Sequence, residues 1–185
     1  GTGKTATAKL LGARHSDKSI RIAVFNSRNA IEMQKTLPSN MTGSTFHAMC
    51  GKWIFGKKSL QAGDRFPGHK AKVPSLVLDN IPEYDYRTVA RDDEKNREMY
   101  DNVSAVTDCI SLLKNTFPED YPSEKEVIDL CAFHQITFLD SNESFANNCI
   151  KILKISDGHR QSIDFDDMIR LPVITKKIKP DCDNI

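Results

Sequence analysis

Apolar and polar positions run through the first 55 residues with two different periods. Lys4 to Ala13 is rich in Ala, Lys and Leu, which favour helix, and Ser19 to Asn26 (SIRIAVFN) is a short β-branched run that predicts a strand. A second helix is predicted from Ser27 to Leu37, stopped by Pro38, followed by a strand over Met41 to Thr45 and a helix over Phe46 to Phe55. Helix and strand in alternation imply a parallel α/β sheet with βαβ crossovers.

Around Gly56 the pattern changes. Gly56 to Pro74 is rich in Gly, Lys and Pro without a sustained period and reads as a linker or loop. From Arg91 to Asn115 a long helix is predicted, with Met99, Val103, Val106, Ile110 and Leu113 at spacings of three and four. Ser123 and Glu126 have the spacing of a capping box ahead of the apolar run Val127, Ile128, Leu130, Cys131, and a further helix is expected from Glu143 to Ile155. Residues 57–160 thus read as a mostly helical insertion between a first domain segment (1–56) and a return to that domain (161–185). In the return, Asp164 is placed to cap a helix with Asp166 and Asp167 in its first turn, and Pro172 is expected to end it.

The 185 residues, 39% hydrophobic, suffice for one core or for one core plus an insertion. No apolar run approaches the roughly 20 residues of a membrane span, and no secretory signal is visible, so a secreted or spanning protein is not expected. Gly1 stands where Met would open a chain, which predicts a piece of something longer.

The net charge of +1 hides an asymmetry, because residues 1–72 carry 13 Lys and Arg against three acids (Asp17, Glu32, Asp64), a balance of +10, and the remainder is −9. A basic segment of that size favours a polyanion such as nucleic acid or nucleotide phosphate, although a solvated face has the same composition. The five Cys and five His are scattered, with no CxxC pair and no His pair on one helical face. That predicts a reducing cytoplasmic or nuclear setting and no structural zinc.

Gly1-Thr2-Gly3-Lys4-Thr5 has the form of the second half of a phosphate-binding loop, G-x-x-x-x-G-K-[ST]. Gly3 lets backbone N–H groups approach phosphates, Lys4 reaches their oxygens, the Thr5 hydroxyl ligates Mg2+, and the helix that follows points its positive end the same way. Gly1, Thr2, Gly3, Lys4, Thr5 and Ala6 are the candidate ATP and Mg2+ residues. Such a loop serves kinases, GTPases, transporters and motors alike.

Further along, Phe25 and Asn26 stand at the end of the first strand and Arg28 at the start of the next helix, while Thr45, Phe46 and His47 repeat that placement one unit later. Rings, hydroxyls and basic groups at neighbouring strand ends suit single-stranded nucleic acid, whose bases stack and whose phosphates take hydrogen bonds. The alternative is that Phe25, Phe46 and Trp53 are core aromatics beneath the sheet.

The order of these pieces resembles the first RecA-like domain of superfamily 1 DNA helicases of the UvrD/Rep type. GTGKT is similar to the end of their motif I, FNSRNAIEM to motif Ia, STFHAMC to motif Ib, and IDFDDMIRLPV to the DFDDL segment that precedes Walker B. The resemblance implies a P-loop, RecA-like sheet, incomplete at both ends, carrying a helical insertion of the 1B kind. It implies ATP and Mg2+ held by Gly3, Lys4 and Thr5, and a single-stranded DNA groove at Phe25, Asn26, Arg28, Thr45 and His47. The partners implied are single-stranded DNA, or a duplex with a single-stranded tail, and a second RecA-like domain of the same polypeptide. The implied activity of the whole protein is 3′ to 5′ unwinding coupled to ATP hydrolysis, as used in DNA repair. The D-E-x-x-D motif of that family is absent from these 185 residues, so the piece itself is expected to bind ATP without turning it over.

Two readings of other classes remain at this stage. One is a small-molecule kinase with the helical stretch as lid and substrate domain, the other a non-catalytic module that keeps ATP binding as a switch. For Asp164, Phe165, Asp166 and Asp167 a structural role linking the insertion back to the ATPase sheet is expected, rather than the D-x-D-x-[TV] nucleophile of aspartate-based phosphatases, which should follow an apolar strand.

Overall fold

The computed structural model describes residues 3–55, 72–91, 93–159 and 163–176. These fall into two units, one within residues 1–60 and one within residues 61–176.

In the first unit, helix α1 (Lys4–Arg14) opens at Gly3, whose φ of 69° lies in the left-handed region that a residue without Cβ adopts at no steric cost. Strand β1 (Ile20–Val24), helix α2 (Ser27–Gln34), strand β2 (Met41–Thr45) and helix α3 (Phe46–Phe55) follow. The two strands pair in parallel, from Ile20 beside Met41 to Val24 beside Thr45, and α2 makes the crossover that parallel pairing requires. Among the described residues the fold is therefore α/β, mostly helical, with a small two-stranded parallel sheet.

Asn40 fastens this unit. Its side-chain nitrogen lies 3.0 Å from each of the carbonyls of Gly12, His15 and Lys18, so two N–H groups serve three acceptors. Those carbonyls include orphans of the last turn of α1, which would otherwise need water. The same approach seats Met41, 2% exposed, against Gly12. A Cβ built on Gly12 would lie 1.8 Å from the Met41 sulfur.

The second unit is all helix. Helix α4 (Lys72–Asn80) leads through two short 3-10 turns (Pro82–Tyr84 and Tyr86–Thr88) to the long α5 (Glu94–Thr116), then α6 (Glu124–His134), α7 (Asn142–Gly158) and α8 (Asp167–Ile174). The three- and four-residue spacing of α5 is realised: Met99, Val103, Val106, Ile110 and Leu113 are all buried, the last four in one cluster with Val77, Val127, Phe145, Cys149 and Ile152 from α4, α6 and α7. Phe138 stacks on Phe145 with ring centroids 3.8 Å apart. Ser123 and Glu126 form the reciprocal capping box read from the sequence, and Asp93 and Ser141 cap α5 and α7.

Two expectations are corrected. The loop read over residues 56–74 fails at its end, because Lys72, Val73 and Pro74 form the first turn of α4, where the missing N–H of proline has no intrahelical acceptor to lose. Residues 56–71 lie outside the described residues. Pro172 does not end its helix, since α8 continues to Ile174 with Leu171 and Pro172 buried. A proline hinders the turn behind it by ring clash and a lost bond to residue i−4, and leaves the two residues ahead free to stay helical.

Candidate functional site

The carboxyl edge of the small sheet carries the residues singled out in the sequence. β1 ends at Val24 and β2 at Thr45, paired with each other, so Phe25 and Phe46 are the next residues out on adjacent strands. Both rings are in solvent, Phe25 at 93% exposed and Phe46 at 57%. This corrects the core-aromatic alternative for these two residues, while Trp53 is half-buried. Phe25 lies one residue past the strand it was expected to finish.

Asn26 and Thr45 have local duties. The Asn26 side chain caps α2 by accepting from the Asn29 N–H at 2.8 Å, and the Thr45 hydroxyl accepts from the Ala48 N–H at 3.1 Å at the start of α3. Each keeps a donor, the Asn26 amide N–H2 and the Thr45 O–H, for a partner beyond the edge. Arg28 is exposed on α2 and pairs with Glu32 at 3.2 Å, an i,i+4 surface contact of small energy that a polyanion would readily displace. His47 is half-buried in the first turn of α3.

The phosphate-loop residues sit at the start of α1. Gly1 and Thr2 lie outside the described residues. Lys4, Thr5 and Ala6 are exposed in the first turn, which has no acidic residue, and no atom stands within 4 Å of the position a Gly3 side chain would take. Thr7 makes the first intrahelical bond, its N–H donating to the Gly3 carbonyl at 2.9 Å, so the N–H groups of the preceding residues lack intrahelical acceptors. Asn40 holds the other end of α1 at the amino edge of the sheet. Eleven residues of helix rise about 16 Å, and a five-residue strand covers a similar length, so α1 is long enough to carry Lys4 to the level of the carboxyl edge. An uncapped, acid-free helix start behind an open glycine suits an anion.

The acidic segment Asp164 to Asp167 is committed to packing. Asp167 pairs with Lys72 of α4 and with Lys114 of α5 (2.8 Å), and Lys114 also pairs with Asp164. Lys72 and Asp167 are fully buried as side chains. Burial pushes the Lys72 ammonium below its ordinary range, and the Asp167 carboxylate opposes that shift. Asp166 accepts from the Ser111 hydroxyl at 2.6 Å and the Asn115 amide at 3.1 Å. These contacts tie α8 to α4 and α5 within the helical unit, rather than showing the link back to the ATPase sheet that was expected of this segment, and its carboxylates are engaged rather than poised as nucleophiles. Arg170 adds a second buried pair with Asp157 at 2.9 Å, and its guanidinium also donates to the carbonyls of Phe117 and Asp120. Neither buried lysine, nor Arg170, was foreseen. Their only sequence signal is a long cationic side chain inside an otherwise apolar helical stripe.

Three of the buried cysteines come from three helices: Cys109 on α5, Cys131 on α6 and Cys149 on α7, with the Cys109 and Cys131 sulfurs 3.6 Å apart. The neighbouring Cys109 thiol, and burial after it, push the Cys131 thiol well above its ordinary range. No cluster of His, Cys, Asp and Glu suited to a metal ion occurs among the described residues, and no helix there is long and apolar enough to cross a membrane.

Comparison of the chain with protein-family models, curated proteins and solved structures returns no match.

Proposed function

We propose that this chain is part of an ATP-dependent DNA helicase of the UvrD/Rep kind, with its first unit binding a nucleotide and a single strand of DNA. The observation that carries this reading is a pair of exposed rings, Phe25 and Phe46, each the residue that follows one of two paired parallel strands at their carboxyl ends. Ligands of open α/β sheets gather at that edge, and two solvent-facing rings just past the ends of adjacent strands offer stacking surfaces that any base accepts.

In this reading Lys4 and the first-turn N–H groups of α1 would hold the nucleotide phosphates, and the Thr5 hydroxyl would help hold a Mg2+ ion, which would offset the phosphate charge. Hydrolysis of the nucleotide supplies the free energy of movement. Phe25 and Phe46 receive bases, the Asn26 amide and Thr45 hydroxyl donate to the backbone, and Arg28 and His47 flank it. The family pattern also places a second RecA-like domain opposite this edge, to complete the groove and contribute the remaining catalytic groups.

The test is direct binding by the 185-residue chain. Fluorescence anisotropy with a labelled oligo-dT and with a fluorescent ATP analogue should give saturable binding of both. Phe25→Ala is expected to weaken oligo-dT binding about tenfold or more, the loss of one stacked base at ~1–3 kcal/mol, and Lys4→Ala to abolish nucleotide binding. Absence of saturable binding of either ligand by the unaltered chain would remove the proposal.

A further inference from the structure

Cys109 of α5, Cys131 of α6 and Cys149 of α7 all belong to the apolar core of the helical unit. A buried cysteine is ordinarily a small apolar filler. Here three of them come from three helices, and one touches the other two: the Cys109 and Cys131 sulfurs lie 3.6 Å apart, and the Cys149 thiol is a second hydrogen-bond partner of Cys109. All three are free thiols. Nothing fits between two sulfurs in contact, and an approach of about 1.5 Å would bring Cys109 and Cys131 to the bond length of a disulfide. The two are 22 positions apart in the chain, on different helices, so a bond between them closes a loop that holds the whole connection from α5 to α6.

We infer that Cys109 and Cys131 are a latent disulfide pair, whose oxidation locks α5 to α6 and holds the helical unit closed. The inference rests on the helical unit alone and needs no ligand of the first unit.

In the closed unit the pair is silent. The Cys109 thiol is pushed above its ordinary range; the hydrogen bond with Cys131 works against that rise, while Cys149 and burial drive it. Cys131 is raised as well, and the thiolate is the attacking species. Reaction therefore waits for the helices to part and for an oxidant, of which a peroxide is the class proposed. One thiolate then attacks the O–O bond and displaces hydroxide, which leaves as water once protonated, and the sulfur becomes a sulfenic acid. As the helices return, the partner sulfur attacks the sulfenic sulfur and displaces a second water. In sum, two thiols and one hydrogen peroxide give one disulfide and two waters, with two electrons passing from sulfur to the peroxide oxygens. A thiol reductant reverses the lock by exchange.

The experiment uses the full 185-residue chain, treated with hydrogen peroxide at neutral pH without denaturant, quenched with excess maleimide and mapped by peptide mass spectrometry without reduction. A Cys109–Cys131 linked peptide is expected as the main product. The same treatment in concentrated urea should spread the links over other pairs, because contact no longer selects the partner. Cys149 stays free in the linked chain and reports opening: its alkylation should be slower by about tenfold or more than in the reduced chain, as a cross-link of this span restrains the open state, and dithiothreitol should restore the rate. Cys131→Ala should abolish both the link and the slowing. The inference is overturned if no Cys109–Cys131 link forms, if another pairing or singly oxidised sulfinic acid dominates, if the link is as abundant in urea as without it, or if Cys149 alkylates equally fast in the linked chain.

Discussion

At the scale of single residues, the largest energies sit where charge is buried. Arg170 is fully buried and serves Asp157, the Phe117 carbonyl and the Asp120 carbonyl at once, with its guanidinium 5.3 Å from the centre of the Tyr121 ring. Arg170→Met keeps most of the volume but strands a buried carboxylate and two carbonyls. The expected loss is about 3–5 kcal/mol, the range for breaking a buried pair from one side, read as a fall in the urea midpoint. A loss under about 1 kcal/mol would mean that Asp157 finds water or another donor. Such pairs were not legible from the chain alone. Lys72 and Asp167 are 95 positions apart, and nothing local to either names the other. Phe25 was legible as an aromatic at a strand end, but its exposure was not, since an aromatic beside a β-branched run is compatible with core and surface alike.

At the scale of elements, the sequence was most legible where a local rule closes within one turn. The Ser123 and Glu126 box is written in four residues and is present, with the Ser123 N–H donating to the Glu126 carboxylate at 2.8 Å. Those bonds hold the Glu126 carboxyl below its ordinary value of 4.5. A carboxylate depressed in the folded state adds stability above the unfolded value, and loses it as the pH falls through the folded one. The stability difference between the unaltered chain and Glu126→Gln should therefore shrink below about pH 4.5, checked by urea unfolding at stepped pH. A difference constant down to pH 2 would show that the carboxylate does not act through its charge. The ends of elements were less legible. α2 stops at Gln34 rather than Leu37, and proline was read as a breaker at Pro74 and Pro172, although its effect depends on which turn it occupies. Helix α1 tests close packing. Gly12→Val would drive a branched side chain into Met41, at an expected cost of about 1–3 kcal/mol from overpacking; a neutral result by thermal melting would show that Met41 swings clear.

At the scale of the whole molecule, the alternation of helix and strand followed by a purely helical stretch was visible from periodicity. The two units differ in how much they bury. The helical unit holds a cluster of side chains with no exposed surface, including Val106, Ile110, Leu113 and Ile152, whereas among the described residues of the first unit the buried apolar side chains are Ile20, Met41 and Cys50. Leu10 and Ile31 on its helices are 71% and 62% exposed. Amide exchange is accordingly expected to be slower in α5 and α7 than in β1 and β2, since protection follows local burial. Equal protection of both units, measured by hydrogen–deuterium exchange with mass spectrometry, would contradict this. For the proposed motor, binding of oligo-dT should weaken steeply with salt, because each displaced phosphate contact releases counterions. A flat salt response would point to contacts made without the basic residues of the first unit.

The three thiols gathered from α5, α6 and α7 provide the helical unit with an internal clock. Cys109, Cys131 and Cys149 are each at most 1% exposed, so an alkylating reagent reaches them only when the helices part. At high reagent concentration their modification rate becomes the rate of opening itself, and at low concentration it reports the open population. Peptide-resolved alkylation would then time the opening of this unit in the unaltered chain, with no label introduced. Adding nucleotide or DNA to the same reaction would reveal whether occupancy of the first unit slows the parting of helices in the second.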